Sequence, residues 1–264
     1  MATGILSVAA IRKSFGSLHA LDGVSLEIDE RSISILIGPN GSGKTTLINV
    51  ISGLYKPDSG RVLFRGKETT GLPPYELYTL GLARTFQVPA LFWKLTVLEN
   101  LLVAARNNPG ERFFKSVLPS GFRSWREIGT PIWERSEKQA VQKASRILNL
   151  LGLSRIWNQP SYLLSGGQMK LVEIGRALMS DATVLLLDEP VSGVNPTLAH
   201  EIFSRILKLR EELGLTFFIV EHRLDIALRY VDNMFAMALG RVITSGAPDE
   251  VMKDKRVIEA YLGG

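Results

Sequence analysis

The nine residues Gly38-Pro39-Asn40-Gly41-Ser42-Gly43-Lys44-Thr45-Thr46 decide the fold of this chain. They follow the apolar run 33–37, which predicts a buried strand, and they precede residues 47–53, which predict a helix closed by glycine. Strand, G-x-x-x-x-G-K-[ST] and helix in this order predict a phosphate-binding loop (P-loop), rather than a glycine-rich turn that contains lysine by chance.

Each part of this P-loop has a chemical role toward a nucleoside triphosphate. The glycines let backbone N–H groups converge on phosphate oxygens, and the positive end of the following helix adds to the attraction. Lys44 is expected to reach the β and γ phosphates, and the Thr45 hydroxyl is expected to hold Mg²⁺. The sequence therefore predicts a protein that binds a nucleoside triphosphate.

The composition bounds the remaining possibilities. The chain has 264 residues, of which 45% are hydrophobic and 22% are charged, as in an ordinary globular protein with one large domain or one domain and a small appendage. No run approaches 18 consecutive apolar residues, and no signal peptide is evident, so we expect no transmembrane helix. The absence of cysteine excludes disulfides, thiol catalysis and Cys-ligated metal.

Basic residues are concentrated in one short segment. Residues 106–126 carry +4 of the chain's net charge of +5, because they hold five basic residues and one acid. The rest of the chain carries only +1, so we expect no nucleic-acid partner. Four aromatic residues accompany the charges, a mixture that suits lipid headgroups or a loop of a membrane protein. A solvated loop whose aromatics pack on neighbouring helices is an equally open alternative.

Polar and apolar patterns predict an α/β protein. Residues 5–37 alternate, and with the strand at 61–65 they predict an antiparallel β region. Residues 107–131 lack a clear period and predict a loop-rich insertion. The remaining helices and buried strands are expected at 73–80, 96–105, 132–151, 171–179, 183–187, 197–213 and 216–220. This alternation predicts a largely parallel core sheet flanked by helices.

The apolar run 184–187 ends in two carboxylates, Asp188 and Glu189. A buried strand does not end in charge without a use for it, because desolvating a carboxylate is costly. In P-loop proteins such a strand is expected beside the P-loop strand, with Asp188 approaching Mg²⁺ and Glu189 orienting or deprotonating the attacking water. A solvated acidic turn is the alternative, and the nearby P-loop argues against it.

The glycine-rich loop Leu164-Ser165-Gly166-Gly167-Gln168 opens a helix and forms a second expected anion site. It resembles the signature loop of ATP-binding cassette (ABC) ATPases, and the resemblance extends over residues 6–262. It implies a P-loop NTPase fold with an antiparallel β subdomain and a helical subdomain. It further implies a single cassette over 5–262, with the β region and P-loop at about 5–70, the helical subdomain at about 88–165 including the insertion 106–131, and the rest of the core at 166–262.

The resemblance also assigns roles to residues that carry no signal alone. Phe15 matches the aromatic that stacks on adenine, and Gln87 matches the glutamine that links the metal and γ-phosphate to the membrane partner. His222 matches the switch histidine that contacts the γ-phosphate, and residues 191–196 match the loop that crosses the dimer interface. Val194-Asn195-Pro196 there departs from the family's frequent Leu-Asp-Pro.

Together these inferences define a complete set of expected site residues. The implied ATP-binding residues are Phe15, Gly38, Pro39, Asn40, Gly41, Ser42, Gly43, Lys44, Thr45, Thr46, Gln87, Ser165, Gly166, Gly167 and Gln168. The implied Mg²⁺ ligands are Thr45, Gln87 and Asp188. The implied catalytic residues are Lys44, Glu189 and His222.

Several stretches are similar to one branch of the family, the larger ATPase subunit of branched-chain amino-acid importers. These stretches are 84–87, 95–102, the insertion after 106, 221–225 and the tail 260–263. ATPases of urea, amide and lipopolysaccharide transport share part of the pattern, so they stay open as alternatives.

The resemblance implies an ATPase subunit that powers a membrane importer from the cytoplasmic face of the inner membrane. Two ATPs would lie at a head-to-tail dimer interface, where the signature loop of one subunit closes over the P-loop of another, either a paralogue or a second copy. The implied partners are two transmembrane permease subunits and, indirectly, an extracytoplasmic solute-binding protein.

Two other classes of protein lack support in the sequence. A soluble cassette ATPase of translation or DNA repair would usually carry two cassettes or long coiled-coil insertions, and this chain has neither. A GTPase would be expected to carry an Asn-Lys-x-Asp motif, which is absent.

Overall fold

A computed structural model describes residues 4–85, 90–105 and 130–262, with backbone alone over 130–136 and at 262. The chain divides into two units. The core unit comprises Met1–Ala90 and Ala182–Gly264, and the inserted unit comprises Leu91–Asp181.

An antiparallel four-stranded sheet forms the first part of the core unit. Its strands are β1 (Leu6–Phe15), β2 (Leu18–Ile28), β4 (Ser59–Phe64) and β5 (Lys67–Glu68), in the spatial order β2-β1-β4-β5. Apolar side chains recur at alternate positions of β2, where Val24, Leu26 and Ile28 are buried. This period of two places one face of the sheet against the core.

A six-stranded sheet forms the centre of the core unit. Its strands are β3 (Ile33–Ile37), β6 (Leu82–Arg84), β7 (Val184–Asp188), β8 (Thr216–Val220), β9 (Asn233–Ala238) and β10 (Arg241–Gly246). The spatial order is β10-β9-β3-β8-β7-β6, and every pairing except β10 with β9 is parallel. Strands β3, β7 and β8 are buried at every residue, which explains their continuous apolar runs.

The helices of the core unit begin and end at residues suited to those positions. They are α1 (Lys44–Ile51), α2 (Pro74–Leu80), α6 (Pro196–Leu213), α7 (Leu224–Ala227), α8 (Pro248–Val251) and α9 (Lys255–Leu262). In α6, the Asn195 side chain accepts a hydrogen bond from the N–H of Leu198 at 2.9 Å, and Gly214 ends the helix with a φ of 65°. Its apolar residues recur every three to four positions and are buried.

The inserted unit contains α3 (Val97–Val103), α4 (Thr130–Leu150) and α5 (Gly166–Leu178). A capping box is present at the start of α3, which the sequence predicts at 96–105: the side chains of Thr96 and Glu99 each accept a hydrogen bond from the other's backbone N–H. Helix α5 belongs to this unit, because Gly175 packs where an added Cβ would lie 3.0 Å from Cδ1 of Leu151. The inserted unit therefore continues to Asp181. The sequence predicts a helical subdomain that ends near residue 165, and this subdomain boundary stays a prediction.

The predicted fold class, an α/β P-loop NTPase, is confirmed. One expectation about strand order is wrong: β7 does not lie beside the P-loop strand β3, because β8 pairs with both of them. All five residues of β8 are buried, so this strand has the apolar character that a central position requires. None of the helices in the described ranges is long and apolar enough to span a bilayer.

Candidate nucleotide-binding site

The carboxyl ends of three neighbouring parallel strands meet at one edge of the central sheet. The loop 38–43 follows β3, His222 comes shortly after β8, and Asp188 ends β7. Open α/β sheets bind ligands at this edge, because loops from adjacent strands converge there.

The P-loop has a backbone that requires glycine at two positions. Gly38 has a φ of 152°, and a Cβ there would overlap the carbonyl oxygen of Met237. Gly43 has a φ of 101°, and its Cβ would lie 2.5 Å from the carbonyl oxygen of Ala20. Helix α1 begins at Lys44, earlier than the predicted start at residue 47, so its first N–H groups face the loop without intrahelical acceptors. This arrangement suits an anion.

Lys44 is buried and folds back over the P-loop. Its Nζ donates hydrogen bonds to the carbonyl oxygens of Gly38 at 2.8 Å and Pro39 at 2.9 Å. Burial lowers the pKa of Lys44, and the negative charges of Glu189 and Asp188 oppose that effect. The ammonium group is thus held between loop carbonyls and two carboxylates.

Glu189 and His222 form a contact across the strand ends. The Nε2 of His222 lies 3.2 Å from Oε1 of Glu189. Glu189 has a φ of 49°, an uncommon value for a residue with a side chain, and its N–H donates to the carbonyl of Val220 at 2.9 Å. Backbone strain of this kind is often found at functional sites.

Asp188 is buried and its Oδ2 accepts a hydrogen bond from Arg84 at 3.0 Å. The two side chains form an ion pair in which each is only 9% exposed. Sequence patterns gave no indication of this pair, because Arg84 ends the short strand β6, far from Asp188 in the chain.

A cavity of about 420 Å³ lies against the P-loop and brings most of the core-unit candidates together. Its predicted site residues are Phe15, Asn40, Gly41, Gly43, Lys44, Thr45, Thr46, Glu189 and His222. The ring of Phe15 is 44% exposed and contacts Tyr55 edge-on, with centroids 5.4 Å apart. The Nζ of Lys13 lies over this ring, 5.5 Å from its centroid. An exposed aromatic ring at the wall of such a cavity offers a surface on which a base could stack.

Other residues of this cavity escaped the sequence analysis. Leu18, His19 and Ala20 line it from the start of β2, and Leu239 and Gly240 line it from the turn between β9 and β10. The turn is tied to the P-loop, because the N–H of Gly240 donates to the carbonyl of Ser42 at 3.1 Å. Leu239 is 90% exposed, and no pattern in the sequence marks it as a cavity residue.

In the inserted unit, the signature loop forms the start of α5. Ser165 is the N-cap, and its Oγ accepts from the N–H of Gln168 while Gln168 Oε1 accepts from the N–H of Ser165 at 2.9 Å. The side chains of both residues are therefore occupied by helix capping. An added Cβ at Gly166 would meet no atom within 4 Å among the described residues, so packing within this chain does not explain that glycine.

Glu221 connects the predicted interface loop to the residues around His222. Its Oε1 accepts from the N–H of Val191 at 2.8 Å, and its Oε2 accepts from the N–H groups of His222 at 2.9 Å and Arg223 at 3.2 Å. Glu221 is only 1% exposed. Sequence reasoning missed this role, although a charge at the end of the apolar run 216–220 was the same signal that marked Asp188.

Two predictions fall outside the described residues. Gln87 lies in the gap at 86–89, and the basic segment 106–126 lies in the gap at 106–129. The structure therefore places neither of them, and their roles remain predictions.

Residues 21–192 match the family model described as ABC transporter. The chain belongs to the ABC transporter ATPase family. This ABC ATPase is 46% identical over 259 residues to a probable branched-chain amino acid transport ATP-binding protein, LivG, of Archaeoglobus fulgidus, covering 98% of this chain and 95% of that one. It is 35% identical to the high-affinity LivG of Escherichia coli over 263 residues, covering 100% and 99%.

Solved structures agree with the family assignment. A nucleotide-free ATP-binding cassette from an ABC transporter superposes with a TM-score of 0.81 at 44% identity, covering 98% of this ABC ATPase and 99% of that chain. A bacterial ABC transporter cassette described as dimeric superposes with a TM-score of 0.69 at 28% identity, covering 92% and 98%. The predicted ATP-hydrolysing, ATP-binding subunit of a transporter is thereby confirmed. Members of this family dimerise and work with membrane permeases.

Proposed function

We propose that this ABC ATPase powers the import of branched-chain amino acids. The observation that carries the proposal is the C-terminal match, in which residues 241–264 fit a family model described as branched-chain amino acid ATP-binding cassette transporter. The names of the relatives in Archaeoglobus fulgidus and Escherichia coli support the same substrate class.

We infer that each residue of the site has a separate role toward the nucleotide. Phe15 stacks on adenine, and the N–H groups of the P-loop bind phosphate oxygens. Lys44 replaces its hydrogen bonds to the carbonyl oxygens of the loop with contacts to the β and γ phosphates. Glu189 takes up the proton of the attacking water, or orients that water. His222, 3.2 Å from Glu189, contacts the γ-phosphate. Such sites stabilise the charge that develops in the transition state because these groups are fixed in place before the reaction.

The donor chemistry near the P-loop fits Mg²⁺. Thr45 supplies a hydroxyl and Asp188 a carboxylate, both oxygen ligands of the kind that Mg²⁺ prefers, and the sequence adds Gln87. No group of three or more His, Cys, Asp or Glu side chains within 4–85, 90–105 and 130–262 could hold a metal ion by itself. Phosphate oxygens would complete the shell, and the ion would neutralise charge between the β and γ phosphates.

We further propose a nucleotide-sandwich dimer at the cytoplasmic face of the inner membrane. The signature loop Ser165–Gln168 of a second ATPase subunit, a paralogue or another copy, would contact the γ-phosphate held by the P-loop. The position of this loop at the start of α5, and the open space that the described residues leave around Gly166, support this role. Two permease subunits and an extracytoplasmic solute-binding protein would complete the importer.

Reconstitution tests the substrate proposal. The ABC ATPase would be combined in proteoliposomes with the permease pair and solute-binding protein from its own genome, and ATP hydrolysis measured with leucine, isoleucine, valine, urea or lipopolysaccharide. We expect stimulation by branched-chain amino acids only, and loss of all hydrolysis in Lys44→Ala, which removes the charged contact with the phosphates. Stimulation by urea or lipopolysaccharide alone would assign the chain to the corresponding transporter instead.

A further inference from the structure

Arg84, which ends strand β6, contacts both the helix that follows the P-loop and the carboxylate that ends strand β7. One Nη1 contact reaches Oδ1 of Asn49 at 2.5 Å, and a second reaches Oγ of Ser52 at 3.0 Å. Its Nη2 donates to Oδ2 of Asp188 at 3.0 Å. Asn49 lies in α1, the helix that follows the P-loop, and Ser52 caps the end of that helix.

The position of this guanidinium does not depend on Asp188 alone. Two neutral acceptors on α1 hold Nη1, and the planar group then presents Nη2 in a fixed direction. Asp188 is consequently tied to the P-loop helix through Arg84. Because both charged side chains are only 9% exposed, solvent cannot substitute for either partner.

We propose that Arg84 is a positioning residue for the metal-binding carboxylate of Asp188. By engaging Oδ2, Arg84 restrains the rotation of the carboxylate, so that Asp188 would be held in one orientation for the Mg²⁺ that accompanies ATP. The inference rests on the proposed metal-binding role of Asp188. It adds a residue that contacts neither the metal nor the nucleotide.

An alternative role for the contact between Arg84 and Asp188 predicts the opposite change in Mg²⁺ affinity. If Arg84 occupied the metal's place on Asp188, Mg²⁺ would have to displace it, and removing Arg84 would make Mg²⁺ binding tighter. If Arg84 orients Asp188, removing it makes Mg²⁺ binding weaker. The sign of the change therefore separates a competitor from a positioning residue.

The experiment compares five variants with the wild-type chain. Arg84→Met removes the charge at similar volume, Arg84→Lys keeps a charge without the planar fork, and Asn49→Ala releases one tether of the guanidinium. Arg65→Met is the matched control, because Arg65 is an exposed arginine whose contact with Thr183 Oγ1, at 3.0 Å, lies just before the same strand β7. Asp188→Asn serves as the reference for loss of the metal-binding carboxylate.

Two affinities are measured for each purified protein. A fluorescent ATP analogue is titrated with excess EDTA, and the Mg²⁺ concentration giving half of the metal-dependent signal is then determined at fixed nucleotide. We expect Arg84→Met to raise that Mg²⁺ concentration by about tenfold, the usual cost of losing a group that orients a metal ligand. Arg84→Lys and Asn49→Ala should show smaller increases, Arg65→Met none, and EDTA affinities should stay within about twofold.

Each result has a defined meaning. An unchanged or lower Mg²⁺ requirement in Arg84→Met overturns the proposal, and so does an equal loss of affinity with and without Mg²⁺, which indicates a merely structural role. If Arg84→Met does not fold, Arg84→Lys and Asn49→Ala decide by the same criterion. An unaltered Mg²⁺ requirement in Asp188→Asn refutes the proposed metal site itself, and is thereby distinguishable from a failure at Arg84 alone.

Discussion

Glu189 and Glu221 follow neighbouring strands, and their surroundings give the two carboxylates different roles. Glu189 follows β7, is partly exposed, lines the cavity and contacts His222. Glu221 follows β8, is buried, and directs both oxygens to backbone N–H groups. A carboxylate facing a cavity can act on water, whereas one whose lone pairs are engaged by backbone groups holds loops in place.

The first prediction concerns Glu189. Glu189→Gln retains the shape of the side chain but loses its ability to accept a proton, so ATP should bind with unchanged affinity while steady-state hydrolysis falls by a factor of about 100 or more. The ATP-bound dimer should consequently accumulate. Equilibrium nucleotide titration, phosphate release and gel filtration with ATP measure the three quantities. A hydrolysis rate equal to that of the wild type would contradict the role of Glu189.

The second prediction concerns Glu221. Glu221→Gln replaces one accepting oxygen by an N–H donor, which must then face the N–H of Val191 or those of His222 and Arg223. Leaving such a buried group unsatisfied should lower the free energy of unfolding by about 1–3 kcal/mol. Urea denaturation followed by far-ultraviolet circular dichroism measures this change, because all four tryptophans lie in the inserted unit and would not report on the core unit. Glu212→Gln, on the partly exposed end of α6, is the control and should be near neutral; equal stabilities for the two variants would refute the argument.

At the scale of elements, two of the three glycines of helix α5 have different surroundings. Gly166 faces open space, whereas a Cβ on Gly175 would meet Leu151 at 3.0 Å and Ile147 and Leu101 at 3.4 Å. Glycine at the first position is thus not required by packing within the described residues. Glycine at the second position lets neighbouring helices approach.

The third prediction compares these two positions. Gly166→Ala should keep or slightly raise the thermal midpoint, because alanine loses less conformational entropy, yet it should abolish ATP-driven dimerisation if nucleotide approaches this backbone. Gly175→Ala should instead lower the midpoint through crowding. Calorimetry and ATP-dependent gel filtration measure both effects. Normal dimerisation by Gly166→Ala would show that the loop does not contact nucleotide closely.

The positions of most helices and strands could be predicted from the sequence, because they depend on the local pattern of polar and apolar residues. Strand β8 has the predicted bounds, and the cap of α3 was readable from Thr96 and Glu99. The order of β8 and β7 was not readable, because both are short apolar runs and nothing local distinguishes neighbours in a parallel sheet. The pairs of Arg84 with Asp188 and of Glu221 with Val191 depend on that order, so they required three-dimensional information.

At the scale of the whole molecule, the fourth prediction concerns assembly. Without nucleotide the purified chain should be mostly monomeric, and with ATP it should be only a weak ATPase, because the proposed composite site needs the signature loop of a second subunit. Light scattering of Glu189→Gln with and without ATP measures the association. A stable dimer in the absence of nucleotide would contradict the nucleotide-sandwich arrangement.

The fifth prediction concerns the basic segment 106–126. Changing Arg112, Lys115, Arg123 and Arg126 to Ser should leave basal ATPase near normal while weakening assembly with the permease or with anionic liposomes. Surface charges contribute little to folding, so the circular dichroism spectrum should not change. Unaffected co-purification and liposome pelleting together would show that the segment is a structural loop.

The discontinuous core unit has a consequence for biosynthesis. The N–H of Ile33, at the start of the P-loop strand, bonds Oδ2 of Asp232 at 2.8 Å, although the two residues are 199 positions apart. At about 5–20 residues per second, the ribosome needs roughly 10–40 s to deliver the second partner after the first. For most of that interval the mainly apolar strand β3 has neither of its lateral neighbours, β8 and β9, while the contiguous inserted unit is synthesised first. The nucleotide-binding loop is therefore among the last parts of the nascent chain to be stabilised by neighbouring strands. The speed of translation sets how long this region stays exposed to aggregation or to chaperones.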